Sequence, residues 1–145
     1  MKLWDLLKHD HQEVNKIFAQ LQKATDKTRQ EALFSTLKAE LQLHTKVEEA
    51  HFYPALKKHD QTKDLVAEAI EEHGEVKHLL AHLSSLTAGG DKFLELVKEL
   101  QGNVEAHVEE EEKEIFPAAE KALEERQLDE IAVEIAKEKQ AAKAG

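Results

Sequence analysis

Six side chains in this sequence are of the types that hold transition metals: His11, His44, Glu48, His73, His107 and Glu111. His44 and Glu48 are four residues apart, as are His107 and Glu111, so each pair shares one helix face. The groups also recur. Asp10-His11-Gln12-Glu13-Val14 is echoed by Glu72-His73-Gly74-Glu75-Val76 at an offset of 62 residues. His44-x-x-x-Glu48-Glu49 is echoed by His107-x-x-x-Glu111-Glu112, and Tyr53-Pro54-Ala55 by Phe116-Pro117-Ala118, both at an offset of 63. Residues 1–60 and 61–124 therefore read as two copies of one helix pair. Imidazole and carboxylate together suit iron, manganese or zinc. Six ligands exceed the four of a tetrahedral zinc site and fit two ions, each with two His and bridged by the two carboxylates. The competing reading is a hydrogen-bonded His–Glu network without metal.

The elements that must position these groups are helices. Apolar residues keep helical spacing over about residues 3–24, 28–58, 62–86 and 91–123. The breaks are Thr25-Asp26-Lys27-Thr28, His59-Asp60-Gln61-Thr62 and Ala88-Gly89-Gly90-Asp91. Pro54 and Pro117 are expected to kink the second and fourth helices near their ends. Four helices with short connections predict an all-α, antiparallel up-down-up-down bundle. A short accessory helix over about residues 128–139 should lie across it, with a frayed tail beyond. Nothing in the composition divides the chain, so residues 1–145 read as a single domain. Counted from the connecting loops, the six ligand candidates fall within roughly one turn of the same height. Their same-face neighbours Leu7, Val14, Leu41, Val47, Ile70, Val76 and Val104 are apolar, which places the six in the core. Left unpaired there, they would cost on the order of several kcal/mol.

Composition narrows the function. Asp+Glu number 30 against Lys+Arg 20, a net charge of −10 that repels nucleic acid and anionic membrane surfaces. The chain has no cysteine, which excludes disulfides, iron–sulfur clusters and thiolate chemistry. It has no apolar run near the roughly 20 residues of a membrane span and no secretory leader pattern, so a cytoplasmic protein is expected. His 9 is high for 145 residues, and the metal reading accounts for four of them.

The ordered, duplicated set of Asp10-His11, His44-x-x-x-Glu48-Glu49 with Phe52-Tyr53-Pro54, Glu72-His73, and His107-x-x-x-Glu111-Glu112 with Phe116-Pro117 resembles the hemerythrin-like, or HHE cation-binding, family. The resemblance extends through about residue 123. It implies a four-helix bundle around two iron ions in an oxo- or hydroxo-bridged di-iron centre, with manganese or zinc as substitutes. It also implies His11, His44, His73 and His107 on the irons and Glu48 and Glu111 as bridges. Oxygen-carrying members place a second His four residues after the third-helix His, where this chain has Lys77, and use His-x-x-x-x-Asp on the fourth helix. This chain instead is similar to a four-His, two-Glu branch that includes iron-sensing, nitric-oxide-responsive and iron-centre-repair proteins. The repair proteins usually carry an added Cys-bearing segment. The resemblance implies binding or sensing of a small diatomic ligand or peroxide. The alternatives are an enzyme that turns over nitric oxide or peroxide with a redox partner, iron storage or repair, and a helical interaction module without metal.

The remaining candidates have weaker claims. His78 and His82 form an i, i+4 pair on another face and read as solvated. His51 could line a channel mouth with its repeat partner Glu114, or sit on the surface. His9 faces away from His11, and His59 supports a helix end. Glu109 to Glu112 read as solvent face except Glu111. A ferritin-like site could use Glu48-x-x-His51 and Glu75-x-x-His78, but those strings sit on adjacent helices and the repeat does not preserve them. The expected ligand pocket is lined by Leu7, Val14, Val76 and Val104.

Overall fold

The computed structural model describes residues 2–144, and no strand occurs among them. Helix α1 spans Leu3–Lys23 and buries Leu3, Leu7, Val14, Ile17, Phe18 and Leu21, the stripe its spacing predicts. Asp26 accepts the Arg29 backbone N–H (3.3 Å) and so caps α2, Lys27–Val47. A π-helical turn, Glu48–Phe52, joins α2 to α3, Tyr53–Lys57. Helix α4 spans Lys63–Ser84 and α5 spans Asp91–Glu110. A second π turn, Glu111–Ile115, leads into α6, Phe116–Ala122, and α7 spans Glu125–Ala144. Helices α1, α2–α3, α4 and α5–α6 form the antiparallel bundle, and α7 packs on α1, α2 and the first π turn.

The prolines act differently from a simple kink. Each stands second in the segment after a π turn, Pro54 in α3 and Pro117 in α6. A proline ring clashes with the carbonyl four residues back and donates no hydrogen bond. The wider turn relieves both problems, and its closing bonds run from the Tyr53 N–H to the Glu48 carbonyl and from the Phe116 N–H to the Glu111 carbonyl. So each π turn begins on a carboxylate residue of the proposed centre.

The two far-end turns approach each other at Gln30. Gln30 is buried and donates to the Ala24 carbonyl (2.9 Å). Gly89 adopts φ 85°, where a side chain would be strained, and a Cβ there would stand 2.9 Å from Gln30 Oε1. At the opposite end Thr62 Oγ1 donates to the Leu56 carbonyl (2.6 Å) and fixes the α3–α4 turn.

Buried apolar residues form two clusters with the polar layer between them. One, at the α1–α2 end, contains Phe18, Leu37, Leu80, Phe93 and Leu100. The other contains Leu7, Phe52, Tyr53, Ile115, Phe116 and, from α7, Ile131 and Ile135. Helix α7 is longer than the sequence suggested, and residues 141–144 are helical rather than frayed; Gly145 lies outside the described residues. Leu37 is fully buried away from the polar layer. Leu37→Ala should therefore destabilise the fold by about 2–5 kcal/mol in denaturant titration while metal content per folded chain stays unchanged.

Candidate metal centre

His11 comes from α1 and His73 from α4, while His44 and His107 lie one turn before the π turns that open on Glu48 and Glu111. All six side chains are buried and converge in one layer. Glu48 and Glu111 have no exposure at all.

Each imidazole has a carboxylate behind it. The Nδ1–H of His11 donates to Glu112 (2.7 Å), that of His44 to Asp10 (2.9 Å), that of His73 to Glu49 (2.7 Å) and that of His107 to Glu72 (2.6 Å). An ionised carboxylate only accepts, so the proton sits on Nδ1 and the lone pair on Nε2. Asp10 and Glu72 occupy matching repeat positions, as do Glu49 and Glu112, so the pairing pattern is itself duplicated.

The four Nε2 atoms point inward at the two buried carboxylates. His11 Nε2 lies 3.1 Å from Glu111 Oε1, and His44 Nε2 lies 3.1 Å from Glu48 Oε1 and 3.8 Å from Glu111 Oε1. His73 Nε2 is 3.2 Å from Glu48 Oε1, and His107 Nε2 is 3.5 Å from Glu111 Oε2. His73 Nε2 and His107 Nε2 face each other at 3.1 Å. Two sets of three could each hold a metal ion: His11, His44 and Glu111, and Glu48, His73 and His107, with ligand atoms within 4.8 Å of one another. Each carboxylate approaches both histidine pairs, as a bridge must. His44 Nε2 and Glu48 Oε2 are buried with no hydrogen-bond partner. Lone pairs and carboxylate oxygens at this spacing repel unless protons or cations lie among them, so the donor set fits a pair of metal ions.

Electrostatics agree. Burial opposes the charged form of His44, but Glu48, Asp10 and Glu111 together hold it well above the ordinary imidazole range. Burial likewise opposes His107, yet Glu111, Glu48 and Glu72 raise it to about 9. Glu111 stays well below the ordinary carboxylate range despite burial, because Glu48 and the His107, His11 and His44 imidazoles bond to it. Asp10 is also lowered against burial, by His44 and Lys139.

Tyr53 closes the layer from the α3 side. Its hydroxyl donates to Glu111 Oε2 (2.7 Å) and lies 3.3 Å from Glu48 Oε1 and 3.4 Å from His73 Nε2. Burial, then the charges of Glu48 and Glu111, push the phenol well above its ordinary value, so it remains a donor. On the opposite side lies a cavity of about 20 Å³, walled by the histidines and by Val14, Leu41, Thr45, Val76, Val104 and Val108. That volume admits about one water-sized molecule.

Several expectations need correction. Leu7 does not line the cavity; it packs below the layer with Phe52 and Phe116. Glu112 is not solvent face but the partner of His11. In the sequence, Asp10, Glu49 and Glu72 stand beside the ligands in the repeat motifs and Tyr53 stands in an aromatic-Pro pair, with nothing local that marks their roles. The matched positions of all five across the repeat were the available signal. Glu75, His78, His82 and His9 are exposed, which removes the ferritin-like alternative. Lys77, at the missing fifth-ligand position, is exposed and pairs with Glu49 (3.1 Å). His51 is half-buried and bonds Glu138 of α7 (2.7 Å), while Glu114 is exposed, so they form no channel mouth. The His59 carbonyl accepts the Thr62 and Lys63 N–H groups at the start of α4.

Comparison with known proteins points the same way. Residues 2–119 match the family described as Hemerythrin HHE cation binding domain. A DNA nickase of Nostoc sp. is 29% identical over 134 residues, covering 92% of this chain and 38% of that protein. An uncharacterised hemerythrin-like protein of Schizosaccharomyces pombe is 26% identical over 128 residues, covering 87% of this chain and 63% of its own length. The chain thus spans less than two thirds of either curated relative. A crystal structure of a Hemerythrin HHE cation binding domain-containing protein from Mycobacterium kansasii superposes with a TM-score of 0.86 at 24% identity, over 99% of this chain and 89% of that one. At that identity the likeness establishes the fold. No helix among the described residues is long and apolar enough to cross a membrane.

The raised imidazoles give a pH dependence. His107 has an ordinary value of 6.5 unfolded and about 9 folded, so its contribution to stability is full below 6.5 and is lost as pH rises through 9. His44 is raised in the same direction. Burial and the Glu72 and Glu68 charges raise Glu110 from 4.5 to about 7, which also removes stability as pH rises. The melting temperature of metal-stripped protein should therefore fall between pH 6.5 and 9. Metal added over the same range should bind more tightly as pH rises, because it displaces fewer protons. A flat melting profile would contradict the protonated cage.

Proposed function

The chain belongs to the hemerythrin HHE cation-binding family, and from that premise we propose that it is a non-haem di-iron protein that binds or senses a small ligand such as oxygen, nitric oxide or peroxide. The carrying observation is the set of four imidazoles whose protons are held outward by carboxylates while their lone pairs converge on Glu48 and Glu111. His11 and His44 would hold one ion, His73 and His107 the other, and the two glutamates would bridge them. Nitrogen and oxygen donors without sulfur favour iron, with manganese or zinc as substitutes. Two bound irons would supply an open coordination position and one-electron redox chemistry.

The chain's own groups shape what reaches that position. The cavity, walled in large part by valines, is too small for an organic substrate, which favours a ligand of one or two heavy atoms. Asp10, Glu49, Glu72 and Glu112 orient the rings and make each Nε2 a stronger donor. The Tyr53 hydroxyl donates to Glu111 Oε2 and fixes the orientation of that carboxylate, which would help hold the metal. DNA nicking is not carried over from the Nostoc relative, since the net charge of −10 opposes a phosphate backbone.

Metal should also tie the helices together. His107→Ala and Glu111→Ala should each lower metal content and melting temperature together, measured on protein from iron-supplemented cells. An oxo-bridged centre should absorb in the near ultraviolet. A reversible change of that spectrum with oxygen or nitric oxide supports the binding role, and sustained peroxide or nitric oxide turnover with a reductant supports an enzyme. Unchanged metal content in both variants contradicts the assignment.

A further inference from the structure

Behind the duplicated ligands, the two halves differ in charge. Asp10 is 5% exposed and uses both oxygens: Oδ2 accepts the His44 Nδ1–H (2.9 Å), and Oδ1 accepts the ammonium of Lys139. Lys139 lies in α7, beyond the residues that match the family, and its side chain is only 11% exposed. A lysine so far removed from water is uncommon and needs a counter-charge. In the other half, Glu72 holds His107 in Asp10's place. Among the described residues no lysine or arginine pairs with Glu72; its carboxylate neighbours are Glu68 and Glu110, with oxygens within 4.8 Å of one another. Lys77 pairs with Glu49, but with a side chain 52% exposed it is screened by water.

We propose that Lys139 is a positioning residue for the His11/His44 half of the metal centre: by holding Asp10 it holds the ring of His44, and it makes the two metal sites unequal. The inference rests on the di-iron reading above. A buried carboxylate that loses its cation is left with one unpaired oxygen and turns toward water, releasing His44 Nδ1. An imidazole without that anchor can rotate about its Cα–Cβ and Cβ–Cγ bonds and becomes a poorer ligand. Helix α7 thereby acts on the centre without touching it. The adjacent Glu138 ties the same helix to His51 (2.7 Å) but makes no bond to Asp10, which separates positioning from simple docking.

The test is anaerobic loading with ferrous iron followed by competition with a chelator. The wild-type chain should retain two ions. Lys139→Met should give up one of them about tenfold more readily and keep the other as wild type does. Lys139→Arg should restore the wild-type pattern. Asp10→Asn should cause the same selective loss, and adding Lys139→Met to it should cause no further loss, because both act through one contact. Glu138→Ala should retain both ions. The proposal is overturned if Lys139→Met keeps both ions, loses both in parallel, adds its effect to that of Asp10→Asn, or is matched by Glu138→Ala. A wild-type chain that takes up no iron refutes the di-iron reading itself, a result distinct from two ions held indifferently to Lys139.

Discussion

The structure depends on one arrangement: six nitrogen and oxygen donors buried between two apolar clusters, with their protons drawn outward. A hydrophobic core does not tolerate converging lone pairs by itself. Here the tension is resolved on the outer side by four carboxylates that fix the Nδ1 protons, and on the inner side by whatever positive charge enters. Without metal that charge is protons, which is why His44 and His107 are held above the ordinary range. Bound metal would place cations at the same atoms. Folding and metal binding thus draw on the same electrostatic energy.

Duplication explains how so small a chain builds so crowded a site. Each half contributes one His from an uninterrupted α-helix and a His–Glu pair from a helix that widens into a π turn before a proline. The π turn starts on the glutamate, so the irregular backbone and the buried carboxylate are one feature. The aromatic residues beside the prolines then diverge. Tyr53 puts a hydroxyl on Glu111, whereas Phe116 stacks on Trp4 (4.5 Å) and is purely apolar. Together with Lys139 behind Asp10, this breaks the symmetry the repeat would otherwise impose.

Much of this was legible from spacing. The four helices follow from the apolar periodicity of residues such as Leu33, Leu37 and Leu41 and from the breaks at Asp26 and Gly89. The six converging side chains follow from the repeat and from loop-to-residue distances in an antiparallel bundle. What was not legible depends on rotation between helices. Asp10 adjoins His11 in sequence yet serves His44, and Glu49 adjoins Glu48 yet serves His73, because each reaches across to a neighbouring helix. The π turns are not legible in the sequence, since a proline marks a disruption without specifying its form. The docking of α7 through Lys139 and Glu138 was hidden because an isolated lysine or glutamate near a chain end looks solvated.

The most direct measurement is anomalous X-ray diffraction at the iron absorption edge on crystals of protein purified from iron-supplemented cells. Two peaks in the anomalous map, one beside His11 and His44 and one beside His73 and His107 with Glu48 and Glu111 between them, are what the buried donor cage predicts. A map with no peak there, or with iron only at the exposed His78 and His82, would contradict it.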